Sequence, residues 1–211
     1  GMTGAAMQGL LRNPLAEPGL LGVSSGAALG AVIALYSGLA NAFYMALPLA
    51  GFVGTALASL FVFTLAGRQA SSASLILAGV AVSSLCGALT SLVLNRSADP
   101  AAVSEIVFWM LGSLADRSSR DVLLALPSIV LGLAVLLSCG AGLRALTLGE
   151  ETAHSLGINL RQLRSKVLVG SALAVGAAVS VAGSIGFVGL VAPHLMRPLV
   201  GGDPARLLPV S

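Results

Sequence analysis

Charge is what this sequence has least of. Asp, Glu, Lys and Arg together are 9% of 211 residues, and Lys166 is the single lysine. Hydrophobic residues make up 56%, and Gly, Ala, Ser and Thr fill much of the rest, so a water-soluble surface cannot be assembled from what remains. There are two cysteines, Cys86 and Cys139, each inside an apolar run; no disulfide framework is implied, and both read as small buried side chains. There are two histidines, and neither has a second ligand at zinc spacing, so no metal is expected. No G-x-x-x-x-G-K-[ST] loop is present, which excludes P-loop nucleotide hydrolysis by the chain itself. Period-two alternation is absent as well, and with it the signature of a membrane barrel.

What the chain has instead is long uncharged runs, at residues 18–67, 69–95, 122–143 and 167–196. A hydrocarbon core of about 30 Å takes about 20 helical residues to cross, and a central Arg or Lys is costly, so spans are read as gaps between charges. The expected fold class is all-α, a polytopic transmembrane helical bundle. The first run holds two crossings with a turn near residues 38–41; the crossing after it meets Pro48 early, which predicts an interruption, and closes at Arg68. The last run would be about 45 Å as one helix. Arg164 and Lys166 precede it and Arg197 and Arg206 follow it, so the positive-inside rule puts both its ends on the cytoplasmic side and demands a reversal. Gly183-Ser184-Ile185-Gly186 is the cluster that can turn so tightly, leaving a short second leg over 187–197 that other helices must wrap. Over the whole chain the rule places Arg12, Arg68, Arg144, Arg161, Arg164, Lys166, Arg197 and Arg206 inside, and Arg96, Arg117 and Arg120 outside.

The exception to this greasy pattern is residues 148–166, LGEETAHSLGINLRQLRSK. Six of the nineteen charged residues fall between Arg144 and Lys166, so the segment must sit in water. Glu150 and Glu151 suit the positive end of a short helix, Gly157 can end it, and Arg161, Arg164 and Lys166 follow. A helical knob is predicted, a handle by which a cytoplasmic partner could move the embedded remainder.

Other stretches carry local signals. In QGLLRNPLAEPGLLGVSSGA, Pro14 and Pro18 remove donors and disfavour helix before them, so an incoming helix stops near Arg12 and Asn13. Gly22, Ser24, Ser25, Gly26 and Gly30 then offer a small-residue face for close helix approach. Gly22 to Gly26 also matches G-x-S-x-G, with His194 imaginable as a base, but that motif needs a strand before its serine and an acid behind its histidine, so no enzyme is expected. Ser71, Ser72 and Ser74 make a polar turn, and Ser72 either solvates it or lines a gate. Gly79, Ser83 and Gly87 form a second close-packing stripe. Asp99-Pro100 can start a helix, and the AVSEIVFWMLGSL that follows, with Glu105 inside, is too short to cross, so an interfacial or re-entrant helix fits; Trp109 is its interface anchor or the lining of a vestibule. The first eleven residues lack the basic start of a secretory signal and read as the tail of an apolar helix, and residues 207–211 read as the start of another. A piece of a longer membrane protein is expected.

Taken in order, RNPLAEPGLLGVSSGA, LILAGVAVSSLCGAL, WMLGSLADRS, LGEETAHSLGINL and GSIGFVGLVAPHLMRPLVGGDPARLLP closely resemble the permease subunits of bacterial ABC importers for iron–siderophore complexes, haem and vitamin B12, the FecCD or BtuC-like family. The resemblance implies an ABC type II importer permease of about ten helices, of which residues 1–211 would be a single permease domain covering the second to the eighth. It also implies a multi-pass place in the bacterial cytoplasmic membrane. The implied partners are membrane lipid, a second permease copy as a homodimer, a periplasmic substrate-binding protein and two cytoplasmic ABC ATPases that bind the ATP; no nucleic acid and no cofactor of its own are expected. Carried over by position, residues 148–166 become the cytoplasmic coupling segment, with Gly149, Glu150, Ala153, His154, Leu156, Gly157 and Ile158 against the ATPase. Ser72, Ala73, Trp109, Met110, Gly186, Phe187 and Gly189 fall to the pathway or its gate, although Ala73 departs from the small hydroxylated residue of the family. Arg12, Asn13, Pro14, Pro18, Gly22, Ser24, Ser25, Gly26, Pro193 and His194 belong to structural motifs, His194 capping or packing at a helix end. The implied cargo is an iron complex, haem or a ferric siderophore; vitamin B12 import remains the alternative within the family and an ion-coupled secondary transporter the alternative outside it.

Overall fold

The computed structural model describes residues 1–43, 45–67, 71–97, 100–115 and 117–211, with the backbone alone at residues 100–102 and 105. Arg68, Asp99 and the Glu105 side chain, named above, lie outside the described residues. Twelve α-helices occur among the described residues, and no strand. They are α1 (Met2–Leu11), α2 (Val23–Tyr36), α3 (Leu39–Ala42), α4 (Ala46–Ala66), α5 (Ser72–Arg96), α6 (Pro100–Leu111), α7 (Ser119–Leu137), α8 (Gly140–Leu146), α9 (Glu150–Ser155), α10 (Leu160–Ala182), α11 (Val188–Val200) and α12 (Pro204–Val210). A 3₁₀ turn, Pro18–Leu21, leads into α2.

Four of these, α4, α5, α7 and α10, are long and apolar enough to cross a membrane. Half of the apolar stretch of α10 is buried inside the bundle, against 17–28% for the other three, so α10 is the central pillar. The outer faces of α4, α5 and α7 instead show Leu57, Leu60, Leu77, Leu92, Leu123 and Leu131 to the surroundings, a belt that only lipid or another apolar surface can cover.

Small residues let the backbones meet. A Cβ on Gly26 would stand 2.6 Å from the Gly54 carbonyl oxygen, and one on Gly30 would overlap the carbonyl of Ala50, so α2 and α4 pack at backbone distance. Likewise a Cβ on Gly132 of α7 would reach within 2.6 Å of the Gly170 carbonyl of α10. Polar side chains lace the same pairs: the Thr55 hydroxyl donates to the Val23 carbonyl at 3.3 Å, and that of Ser128 to Leu173 at 3.1 Å.

Several sequence expectations change here. Ser24 and Ser25 do not share the packing face of Gly26 and Gly30; at about 100° per residue they turn away from α4 and line a cavity. Pro48 does not interrupt a crossing, because it lies in the first turn of α4, where no helical acceptor awaits an N–H. Ser71 is the N-cap of α5, its hydroxyl accepting from the Ser74 N–H at 3.1 Å, so the expected polar turn is a helix start. On the α5 stripe, Gly79 meets Leu20 and Leu21, but Gly87 has open space before it.

The reversal falls where the glycines placed it. α10 ends at Ala182, and Gly183 (φ 75) begins the turn into α11. There a Cβ on Gly183 would overlap the Trp109 carbonyl, and the Ser113 N–H donates to the Ala182 carbonyl at 2.7 Å, so the end of α6 is locked to the end of α10. α11 is not wrapped as expected. One face packs on α1 and α12, while Leu195 and Leu199 stand open. His194 neither caps nor packs a helix end: α11 continues through Pro193 and Pro198 to Val200 and leaves it exposed in mid-helix.

Candidate functional site

The predicted knob is present. Gly149 opens α9, Glu150 and Glu151 fill its first turn, and Ala153, fully buried, pegs it into a core with Leu143, Leu146, Leu163 and Val167. Gly157, at φ 82, turns the chain back; its N–H donates to the His154 carbonyl at 2.9 Å, and the Ile158 N–H to that of Ala153 at 3.0 Å. Asn159 then caps α10, accepting from the Gln162 N–H at 3.0 Å. Arg164 does not project outward with its basic neighbours. Its side chain is only 14% exposed and donates to Glu150 Oε1 at 2.8 Å, bracing α9 against α10. The root of the knob is therefore fixed. Its tip, Thr152, His154, Ser155, Leu156 and Gly157, is exposed, and Leu156 is an apolar side chain 61% open to solvent.

Beside the knob stands an ion pair that sequence reasoning missed. Arg144, in α8, grips Asp203 through two contacts, Nη2 to Oδ2 at 2.6 Å and Nε to Oδ1 at 3.1 Å, with Arg206 at 3.8 Å. Asp203 also caps α12, accepting from the Ala205 N–H at 2.9 Å. The hydrogen bond from Arg144 holds its carboxyl below the ordinary aspartate range, against an opposing effect of burial and with help from the Ala205 N–H and the two guanidinium charges. Asp-Pro after two glycines is a legible helix start. The clasp was not legible, because its halves lie 59 residues apart.

A larger feature lies above the α1–α11 contact, a cavity of about 740 Å³. Its wall is mostly apolar, from α7, α10 and the 3₁₀ turn, with Ser24, Ser25, Ser83 and Ser84 among the lining residues; the Ser83 hydroxyl has no partner among the described residues. Gly186, Phe187 and Gly189 of the predicted pathway line it, as does Pro18. So does Glu17, half-buried, the one ionisable side chain on that wall among the described residues and one that no sequence motif singles out. Phe187 takes φ 66, a left-handed conformation rare for an aromatic residue, and stands 74% exposed at the start of α11.

The remaining pathway residues are set apart from that cavity. Trp109 and Met110, both half-buried, sit at the end of α6 behind the Gly183 turn, and the Trp109 indole N–H has no partner among the described residues. Ser72, half-buried, and Ala73, exposed, open α5. That is the knob's end of the bundle, for Gly67 and Leu75 share a groove with Arg161 and Arg164. Among the motif residues, Arg12 ends α1 as expected and Asn13 accepts from the Leu15 N–H at 2.9 Å, so Asn13-Pro14 forms a side-chain-closed turn. Gly22 takes φ 72 against Val82, and Pro193 is buried. No group of three or more His, Cys, Asp and Glu placed to hold a metal occurs among the described residues.

Residues 1–211 match the FecCD transport family. The cobalamin import system permease protein BtuC of Halobacterium salinarum is 41% identical over all of this chain, which covers 56% of that protein. The hemin transport system permease protein HmuU of Yersinia pestis is 42% identical over 99% of the chain, covering 63% of its own length. The chain thus spans less than two thirds of either relative. A solved structure described as an inward-facing conformation of a metal-chelate type ABC transporter superposes with a TM-score of 0.90 at 34% identity, over 99% of this chain and 66% of that one.

Proposed function

The chain belongs to the FecCD transport family, and from that premise we propose that it is the membrane-spanning part of an ATP-binding-cassette importer, moved by ATPase subunits that grip the knob at α9. The observation that carries this reading is the family match over the whole length, joined to one wet, braced lever on an otherwise greasy bundle. A rigid root and an exposed tip with Leu156 are what a lever needs, since force on a loose loop would be lost in its own motion. The partner hydrolyses the ATP, because this chain has no phosphate-cradling loop. Alternating access follows: the ATPases close on ATP, the knob moves with them, and α10, continuous with it, transmits the displacement to the turn at residues 183–187 beside the cavity.

The cargo proposed is an iron complex, haem or a ferric siderophore, delivered by a periplasmic binding protein to a homodimer of permeases. A mostly apolar cavity with scattered hydroxyls suits a bulky chelate that must slide and not be ligated. The cobalamin relative favours a second reading within the family, vitamin B12, which such a wall would also pass. Uptake of haem, a ferric siderophore and cobalamin by a deletion strain carrying the full-length chain, its ATPase and its binding protein tests the proposal. ATP-dependent uptake of one of the first two is expected; uptake driven by an ion gradient without ATP would overturn it.

A further inference from the structure

We propose that a small cavity between α1, α11 and the turn before α12 binds a phosphate group, that of an anionic lipid headgroup at the membrane surface. The cavity measures about 200 Å³, and Gln8, Gly9, Arg12, Arg197 and Gly202 are among its lining residues. That is more space than one bridging water fills.

Gln8 is 4% exposed, and its Oε1 accepts from Arg197 Nη2 at 2.8 Å. A guanidinium can only donate, so the amide cannot be turned round, and Nε2 is left as a buried donor with no acceptor among the described residues. Arg12 adds a second anomaly. It takes φ 51 at the end of α1, the place where glycine ordinarily sits, so an arginine is held there in a left-handed conformation with its side chain lining the same space.

Neither Arg12 nor Arg197 has a carboxylate within ion-pair distance among the described residues, and the acid nearest in sequence to this wall, Asp203, is occupied by Arg144 and Arg206. The helix-end carbonyls are taken as well: that of Gln8 accepts from Arg12 and Asn13, and that of Arg197 from Gly201. Arg12, Arg197 and the Gln8 amide N–H therefore line one space that meets no negative group among the described residues, and planar guanidinium forks match phosphate oxygens. Arg144 and Arg206 crowd the same end of the bundle. A basic rim at the end of apolar helices is where headgroup phosphates lie, which favours the lipid over a free ion.

The test uses the purified full-length chain in neutral detergent, titrated with phosphatidylglycerol, phosphatidylcholine or inorganic phosphate and followed by melting temperature and native mass spectrometry. Phosphatidylglycerol should raise the melting temperature and be retained, with phosphatidylcholine weaker. Arg12→Gly separates site from fold, because its two effects have opposite signs. Without lipid it should melt higher, the left-handed residue being relieved, yet bind phosphatidylglycerol about tenfold more weakly for want of one charge-assisted donor. Arg197→Gln should weaken the lipid similarly. A shift produced by inorganic phosphate and lost in Arg12→Gly would support the oxyanion site and assign it to the free ion. Equal lipid binding by wild type, Arg12→Gly and Arg197→Gln, no response to either phosphate source, or an effect of Arg12→Gly confined to ATPase association would each overturn the proposal.

Discussion

Glu150 and Arg164 stand 2.8 Å apart across the root of the knob, and the arginine is nearly buried while the glutamate is not. The pair makes α9 and the first turns of α10 one rigid piece. If the knob is a lever, this brace carries its load. Arg164→Ala should therefore lower substrate-coupled ATP hydrolysis about three- to tenfold, the size of effect found for residues that couple sites without touching a ligand. Stability should fall by only about 1 kcal/mol, because the Glu150 end of the pair is open to solvent, which screens it. ATPase assays in proteoliposomes beside thermal melts separate the two effects; a loss of coupling no larger than the loss of folded protein would show that the brace is merely structural.

Gly157 permits a second comparison at the tip. At φ 82 a glycine is unstrained, asparagine is tolerated and other side chains cost about 1–2 kcal/mol. No described residue lies within 4 Å of where its Cβ would be, so bulk meets no neighbour among the described residues. Gly157→Asn should keep substrate-coupled hydrolysis, and Gly157→Arg should abolish it by obstructing the partner. The handle is refuted if the arginine variant couples normally.

The α2–α4 contact gives a stability prediction independent of function. Gly30→Val would drive a branched side chain into the Ala50 carbonyl, and Gly26→Leu would meet both Gly54 and Ala58. Overpacking of this kind costs about 1–3 kcal/mol or more where the backbone cannot yield. Both variants should show a lower melting temperature in detergent and a lower yield in the membrane. Gly87→Ala, inside α5 with open space before it, should lower neither.

Helix ends were legible wherever one residue type decides them. Pro14 stops α1, Gly183 turns α10 into α11, and Gly157 ends the knob helix, each because no other local conformation is cheap. What stayed hidden depends on partners distant in sequence. Arg144 and Asp203 clasp across the bundle, and Ser24 and Ser25 leave the Gly26 face only because α4 occupies the other side. Glu17 was passed over because it sits between two prolines in what reads as a surface turn. Only the return of α11 beside α1 closes the cavity onto it.

Asp203 makes the clasp dependent on pH. Its folded carboxyl lies below the ordinary aspartate value of about 3.9, so the folded state holds fewer protons there than the unfolded state. The stability it contributes is then complete above about pH 4 to 5 and is lost as pH falls through the depressed folded value. Melting curves of wild type and Asp203→Asn should differ at neutral pH and converge at the acid end. A gap that stayed constant through acid would mean that Arg144 draws no benefit from the charge.

Glu17 decides between classes of transporter. A proton- or ion-coupled carrier needs an ionisable group in its cavity that gains and loses charge in each cycle, and Glu17 is the one such side chain on this wall among the described residues. An ATP-driven importer needs none, because the partner's hydrolysis supplies the free energy. In such an importer a carboxylate beside a passing cargo acts only on what the cavity admits. Glu17→Gln should then leave transport ATP-dependent and insensitive to a proton ionophore, with the maximal rate within about threefold of wild type, the effect of one partly solvated charge. It should instead shift the preference between anionic and neutral cargo, since removing the half-buried negative side chain from the wall relieves repulsion of a charged chelate. If the glutamine variant binds cargo normally but cannot move it, and an ionophore stops the wild type, then the cavity and not the knob supplies the drive.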